Sequence, residues 1–422
     1  MNNKDLNVLS LFSGCGGMDL GFEGEFEVMR GSINEKMCPD WIDSIYENKI
    51  KLNSTRFSTI FANDILETAQ KAWVRYFNKR GKDESIYNSK SIVDLVKATR
   101  NGDFQFPSRV DIVTGGFPCQ DFSVAGLRNG FKSHKSHLNE YVESSSPTLE
   151  SRGQLYMWMR EVISLVLPKV FIAENVKGLI SLGNVREIIE NDFRTIDKNG
   201  FIVLSKLLNT ADFGVPQARQ RIIFIGLNKR YLKNEALINL QSKSLKDEYS
   251  PFPSPTHIKR NGFNNYELDL ENKFKPYMTV CEALNGLKEP EECDNDLSQQ
   301  NYSKARYYPR LQGNTEVNYN SLGPTIRAEH HGNIEFRRLS LEHNGKNIEE
   351  LKNGWKERRL TVRECARLQT FPDDYEFVFS DNTKGNSLSA SSSYKLIGNA
   401  VPPIMAYNIA KKLEKIWTNL FD

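Results

Sequence analysis

The sequence predicts a doubly wound α/β fold with a smaller, loop-rich module inserted late in the chain. Short apolar runs recur through the first half, and stretches with helical spacing of apolar residues separate them. Strand–helix alternation of this kind builds a parallel sheet covered by helices on both faces. Near residue 228 the texture turns polar and weakly periodic, and near 358 order returns. The expected organisation is one domain built from residues 1–227 and 358–422, and a second from 228–357.

The strand candidates are residues 8–12, 57–62, 110–113, 170–173 and 222–225, each a short apolar run of the kind a buried parallel strand shows. Residues 66–77 and 155–167 carry helical spacing. In the polar interval Asn, Lys, Glu and Ser dominate, and Pro251, Pro253 and Pro255 cluster. Helical spacing reappears at 362–368. Pro402 and Pro403 open a last amphipathic helix carrying Ile404, Met405, Ile409, Leu413 and Ile416. Residues 23–56 and the serine-rich 127–150 read as insertions, the second as a loop.

At 422 residues the chain has room for two domains and a large core. Its 39% hydrophobic and 26% charged residues are ordinary for a protein in water. No apolar run reaches ~18 residues and no signal-peptide pattern opens the chain, so a cytoplasmic protein with no membrane role is expected. The six cysteines, Cys15, Cys38, Cys119, Cys281, Cys293 and Cys365, are scattered without a C-x-x-C pair. That pattern argues against a structural zinc site and a disulfide framework. His134 and His137 lack partners at ligand spacing, so no metal is expected. A net charge of +3 neither demands nor excludes a nucleic-acid partner.

Chemistry concentrates where strands end. Residues 115–126 read Gly-Gly-Phe-Pro-Cys-Gln-Asp-Phe-Ser-Val-Ala-Gly, directly after a strand candidate. The glycines allow a tight turn and Pro118 fixes the backbone beside Cys119, which places a thiol where α/β sheets hold their ligands. A presented nucleophile fits this pattern, and so does a small buried hydrophobe. Residues 13–22, Ser-Gly-Cys-Gly-Gly-Met-Asp-Leu-Gly-Phe, form a glycine-rich turn after the first strand, suited to a cofactor or simply to a sharp turn. Asp64 follows the second strand and suits either ribose hydroxyls or a helix cap. Glu174 ends a later strand, where a carboxyl half out of water can donate a proton. Arg219 and Arg221, two apart on an extended segment, point the same way and suit an anion, a polar base edge or a surface ion pair.

The order of these motifs is more specific than any one of them. The glycine-rich turn, Asp64, Pro118-Cys119-Gln120, Glu174-Asn175-Val176, Gln217-x-Arg219-x-Arg221, a variable module, Arg363-Glu364-Cys365-Ala366-Arg367-Leu368-Gln369 and Gly398-Asn399-Ala400-Val401-Pro402-Pro403 succeed one another. This order resembles that of the DNA cytosine-5 methyltransferases, notably the bacterial restriction–modification type. The resemblance covers nearly all of residues 6–227 and 358–418.

The resemblance implies a Rossmann-like S-adenosylmethionine-dependent catalytic domain and a target-recognition domain at 228–357. By the same route Cys119 is the nucleophile that adds to cytosine C6, and Glu174 contacts N3 and the exocyclic amine. Arg221 holds O2 with Arg219 assisting, and the base is flipped out of the duplex. For the cofactor the resemblance assigns Phe12, Ser13, Gly14, Gly16, Gly17, Asp64, Ile65, Ile92, Pro118, Leu155, Asn399 and Val401. Ile65 stands where an aromatic often stacks on adenine, and Ser91 where an acid commonly reads the adenine amine. Ser123 belongs to the loop that closes over the base. Arg327 and Arg337, in a stretch with His330, His331, Asn333 and Arg338, are the candidate base readers, with phosphate contact or a solvated surface as the alternative. The expected partner is double-stranded DNA, bound by a monomer in the cytoplasm at the nucleoid, with any cognate restriction endonuclease acting independently. A tRNA cytosine-5 methyltransferase and a catalytically silent DNA-binding regulator are the competing readings. The long module favours duplex DNA, and intact Cys119, Glu174 and Arg221 favour catalysis.

Overall fold

The structure, a computed structural model, describes residues 5–118, 155–181, 183–259, 273–311, 313–328, 334–381 and 386–422. Seven strands form the main sheet: β1 (Leu6–Leu11), β2 (Phe57–Asn63), β3 (Tyr87–Asn88), β4 (Ile112–Gly115), β5 (Val170–Val176), β6 (Phe201–Asn209) and β7 (Gln220–Asn228). They lie in the order β3-β2-β1-β4-β5-β7-β6. The first five pair in parallel. β7 runs antiparallel to both β5 and β6, which corrects the expectation of a wholly parallel sheet. The cause is the short connection between Asn209 and Gln220. A parallel return needs a crossover of about a dozen residues or more, whereas a short link turns the chain straight back.

Alternate residues of each strand enter opposite cores, as the two-residue period of a strand requires. Val8, Ile112, Ile172 and Ile223 pack toward α1 (Gly17–Glu23), α2 (Glu67–Lys79) and a long last helix. Leu9, Val113, Phe171 and Phe224 pack toward α3 (Ile92–Asn101), α4 (Leu155–Val166) and α5 (Val185–Arg194). After the variable segment come α6 (Val362–Leu368), α7 (Ala390–Asn399) and the last helix, α8 (Pro403–Leu420). α6 opens on a capping box in which Thr361 and Glu364 each satisfy the other's backbone N–H. α8 opens on Pro403, whose missing donor costs nothing at the first helical position. Among the described residues no helix is long and apolar enough to cross a membrane.

Two segments show more order than their composition suggests. Residues 24–56 contain a three-stranded antiparallel sheet of Glu27–Met29, Ile42–Tyr46 and Lys49–Leu52, whose Val28, Ile50 and Leu52 join the main core. Within 228–357, the helix Asn234–Gln241 is tied to α8 through the Lys233 N–H, which donates to the Leu420 carbonyl at 2.9 Å. Farther along, a hairpin of Phe336–Arg338 and Arg358–Arg359 carries arginines into a buried ion network. Glu289 pairs with Arg338 and, at 2.9 Å, with Arg358, and Arg358 pairs with Glu364 of α6 at 2.9 Å.

Candidate active site

β1, β2, β4 and β5 all end at one edge of the sheet, and β7, running the other way, begins there. That reversal matters for the site. In the β5–β7 register Arg221 lies beside Val176 and Ile223 beside Glu174. The start of β7 therefore delivers Arg221 to the end of β5, where its Nε sits 2.7 Å from the Glu174 Oε1. Both side chains are largely out of water, at 13% and 10% exposure. A cavity of about 820 Å³ opens at this edge, within the range of ligand pockets.

The glycine-rich turn forms one wall. Phe12, at the end of β1, has φ +52°, a conformation uncommon outside glycine, and lines the cavity. Gly14 also has positive φ, and a Cβ there would meet no protein atom within 4 Å. Ser13 donates its hydroxyl to the Ser10 carbonyl at 3.1 Å, and Asp64 Oδ2 accepts the Gly14 N–H at 3.1 Å. Behind the turn the buried Asp19 accepts from the Ser10 hydroxyl at 2.5 Å and the Trp73 indole at 2.8 Å. Burial pushes that carboxyl up to about 6, and the two donors oppose the rise. A Cβ at Gly17 would lie 2.3 Å from the Val401 carbonyl, so only glycine lets the turn reach the chain ahead of α8.

Asp64 lines the cavity and is not the helix cap, since α2 starts from Leu66 with no side-chain cap. Its Oδ1 accepts the Leu66 N–H at 3.0 Å, which closes the turn leading into α2. Burial raises this carboxyl and the backbone donors of Leu66 and Gly14 oppose it. Ile65, Ile92, Pro118 and Leu155 complete this half of the cavity. Ser91 caps α3 by accepting the Val93 N–H at 3.3 Å. At the far side stand Asn399 and Val401.

Three comparisons with known proteins bear on this geometry. The family described as C-5 cytosine-specific DNA methylase matches residues 6–415. The chain belongs to that family. The Type II methyltransferase M.BspRI of Lysinibacillus sphaericus is 32% identical over 96% of this chain and 81% of its own length. M.BsuRI of Bacillus subtilis, also a Type II methyltransferase, is 29% identical over 97% of this chain and 79% of its own. The crystal structure of S. pombe Dnmt2 methyltransferase shares the fold, with a TM-score of 0.55 at 18% identity, covering 97% of this chain and 99% of that one. This protein is accordingly a DNA cytosine-5 methyltransferase, a family whose methyl donor is S-adenosylmethionine.

Against that family the expected site residues divide. The cavity gathers Glu174, Arg219, Arg221 and every expected cofactor residue except Gly16. Gly16 faces α2 instead: its φ is +77°, and a Cβ would stand 2.6 Å from both Trp73 and Phe77. Arg219 is buried and donates to the carbonyls of Ile326 at 3.1 Å and of Gly398 and Ala400 at 3.0 Å. It clamps the two chain segments that form the methylase's far wall. Arg327 lines the cavity and pairs with Glu335 at 2.9 Å. Arg337 does not line it. Its guanidinium lies over the Tyr319 ring and pairs with Glu350 at 2.6 Å, which turns it inward. Cys119 and Ser123, with His330, His331 and Asn333, lie outside the described residues. Lys177, Thr325 and Lys395 also line the cavity, and no motif in the sequence marks them.

Proposed function

We propose that this methylase transfers a methyl group to C5 of a cytosine flipped out of duplex DNA, by covalent catalysis through Cys119. Cytosine C5 is a poor nucleophile because the ring is aromatic and electron-poor. Addition of the Cys119 thiolate to C6 breaks the aromaticity and makes C5 reactive. S-adenosyl-L-methionine, when bound, supplies the methyl group. Loss of the C5 proton and expulsion of the thiolate then restore the ring.

The juxtaposition that carries this reading is a single cavity holding the glycine-rich turn with Asp64 at one end and the Glu174–Arg221 pair at the other. The turn fits the cofactor. Gly14 abuts open space, and a half-buried carboxylate beside it keeps acceptor capacity for ribose hydroxyls. Phe12, Ile65 and Ile92 would pack the adenine, Asp64 would hold the ribose, and the backbone of Ser13, Gly14 and Gly17 would wrap the methionine portion. Pro118, Leu155, Asn399 and Val401 close the pocket. Gly16 supports the turn from behind. In the other half Glu174 would bond N3 and the exocyclic amine of cytosine, Arg221 would hold O2, and Arg219 would position both walls.

Residues 228–357 are the target-recognition domain in this reading, and 1–227 with 358–422 the catalytic one. The relatives named as Type II methyltransferases support a role in protecting host DNA within a restriction–modification system, as a cytoplasmic monomer with a separately acting endonuclease. Parallel assays of tritiated methyl transfer to duplex DNA and to tRNA test the substrate. Incorporation into DNA alone, mapped by bisulfite sequencing to one site, is expected. Incorporation into tRNA alone would overturn the assignment.

A further inference from the structure

We infer that the loop of residues 306–311 is the element that reads target base edges, with Arg310 as the side chain that enters the major groove. The inference rests on the reading of 228–357 as the recognition module and replaces Arg337 in that role.

Exposure and charge point to this loop. Tyr308 is 56% exposed and Leu311 54%. Arg306, Arg310 and Lys304 are exposed beside them, and residues 302–314 contain no acidic residue. Neighbouring arginines are spent differently. Arg327, Arg337, Arg338, Arg358 and Arg363 each hold a carboxylate. Among the described residues neither Arg306 nor Arg310 makes an ion pair, so two guanidinium forks stand in solvent with apolar surface between them. Arg310 also has φ +65°, a left-handed conformation that non-glycine residues adopt at some cost.

The loop is nevertheless held firmly from below. Buried Arg359 donates from Nε to the Ala305 carbonyl at 2.9 Å and from Nη2 to the Arg306 carbonyl at 3.1 Å. The same guanidinium reaches the Gly313 carbonyl at 2.9 Å and Asn314 Oδ1 at 2.7 Å, closing the loop's other stem. Tyr307 stacks on His343, ring centroids 4.4 Å apart. A loop fixed at both stems while its large side chains stay in water is preorganised for a partner, which lowers the entropy lost on binding. Its charge suits DNA. Arg359 Nη1 also donates to the Ile334 carbonyl, and the chain leaving the loop runs on to Thr325–Ala328 at the cavity's far wall. A duplex held by residues 228–357 would meet this exposed basic loop. Arginine's fork matches guanine O6 and N7, and tyrosine and leucine offer apolar contact to a thymine methyl or a sugar.

Methylation profiling on a randomised duplex library, for the wild type, Arg310→Ala and Arg310→Lys, tests the assignment beside calorimetric titration with S-adenosylmethionine. Both variants are expected to flatten the preference at one base pair by about 5- to 150-fold while cofactor affinity moves less than about twofold. Lysine keeps the charge but loses the fork. Unchanged preference would overturn the inference. So would a loss uniform across sequences, rescued by lysine and accompanied by a shallower salt dependence, because that marks a phosphate contact. Photocrosslinking of the native enzyme to an iodouracil-substituted target duplex separates the two layers of the reading. An adduct in 306–311 supports it. An adduct only elsewhere within 228–357 overturns the loop alone, and one only outside 228–357 overturns the module.

Discussion

Glu174 and Arg221 illustrate how little needs to be added at the residue scale once the sheet is built. The pair sits 2.7 Å apart, mostly out of water, with its direction fixed by two adjacent strands. Replacing Glu174 with Gln keeps the shape but removes the charge that answers Arg221 and the carboxylate proposed to bond N3 of the cytosine. A fall in kcat of roughly 10²–10⁴-fold is expected, with S-adenosylmethionine affinity within about twofold, read by single-turnover assay and calorimetry. Equal loss of both would mean the residue serves the fold instead. The cysteines separate in the same way. Cys119→Ser should abolish transfer, since an alkoxide is far less accessible than a thiolate near neutral pH. Cys281→Ser, at an exposed position away from the cavity, should leave the rate unchanged. Matching losses in the two variants would remove Cys119 from its role. Asp64, Glu174 and Arg221 were legible in the sequence because each ends or begins a strand. The inward turn of Arg337 was not, because its partner Glu350 lies 13 positions away and only the folded hairpin brings them together.

At the scale of elements, α6 and α8 hold the catalytic face to the rest. Within the ion network on α6, burial would push the Glu364 carboxyl up, but Arg358 and Arg337 outweigh it and hold the group down at about 2. A glutamate in the unfolded chain titrates near ~4.3. The folded value is the lower one, so the stabilisation is fully present above that pH and is lost as pH falls toward 2. Glu364→Gln should cost about 3–5 kcal/mol at pH 7, because it removes one of the two carboxylates that hold the buried Arg358, and the gap from wild type should narrow as pH falls from about 4 toward 2. Urea unfolding at each pH measures this; a gap independent of pH would contradict it. Gly21 tests the other contact. A Cβ there would stand 2.3 Å from the Pro403 carbonyl, so α1 and α8 must separate to admit it. Gly21→Ala should lower stability by about 1–3 kcal/mol, measured by thermal unfolding, and no change would show that the helices slide freely. The apolar runs announced β1, β2, β4, β5 and β7 with fair accuracy. β6 escaped because Ser205 and Lys206 interrupt it near the sheet edge, where solvent reaches one side. The direction of β7 was equally illegible, since alternation reads the same both ways along a strand.

Taken as a whole molecule, the chain combines a sheet edge that gathers the reacting groups with a variable segment fastened to it by buried arginines. Arg219, Arg358 and Arg359 all spend their guanidiniums internally, on carbonyls or carboxylates, to hold that segment in place. The sequence marked the segment by its polar texture but not its internal order, which depends on these long-range contacts. Covalent catalysis through Cys119 remains the claim on which the mechanism turns, and a duplex carrying 5-fluorocytosine at the target tests it most directly. The fluorine cannot leave C5 as a proton does, so the enzyme should remain bonded to the base. The prediction is a denaturant-stable protein–DNA adduct that requires S-adenosylmethionine and maps by peptide mass spectrometry to Cys119. An adduct at another residue, or none with an enzyme that methylates ordinary cytosine in the same site, would contradict the account.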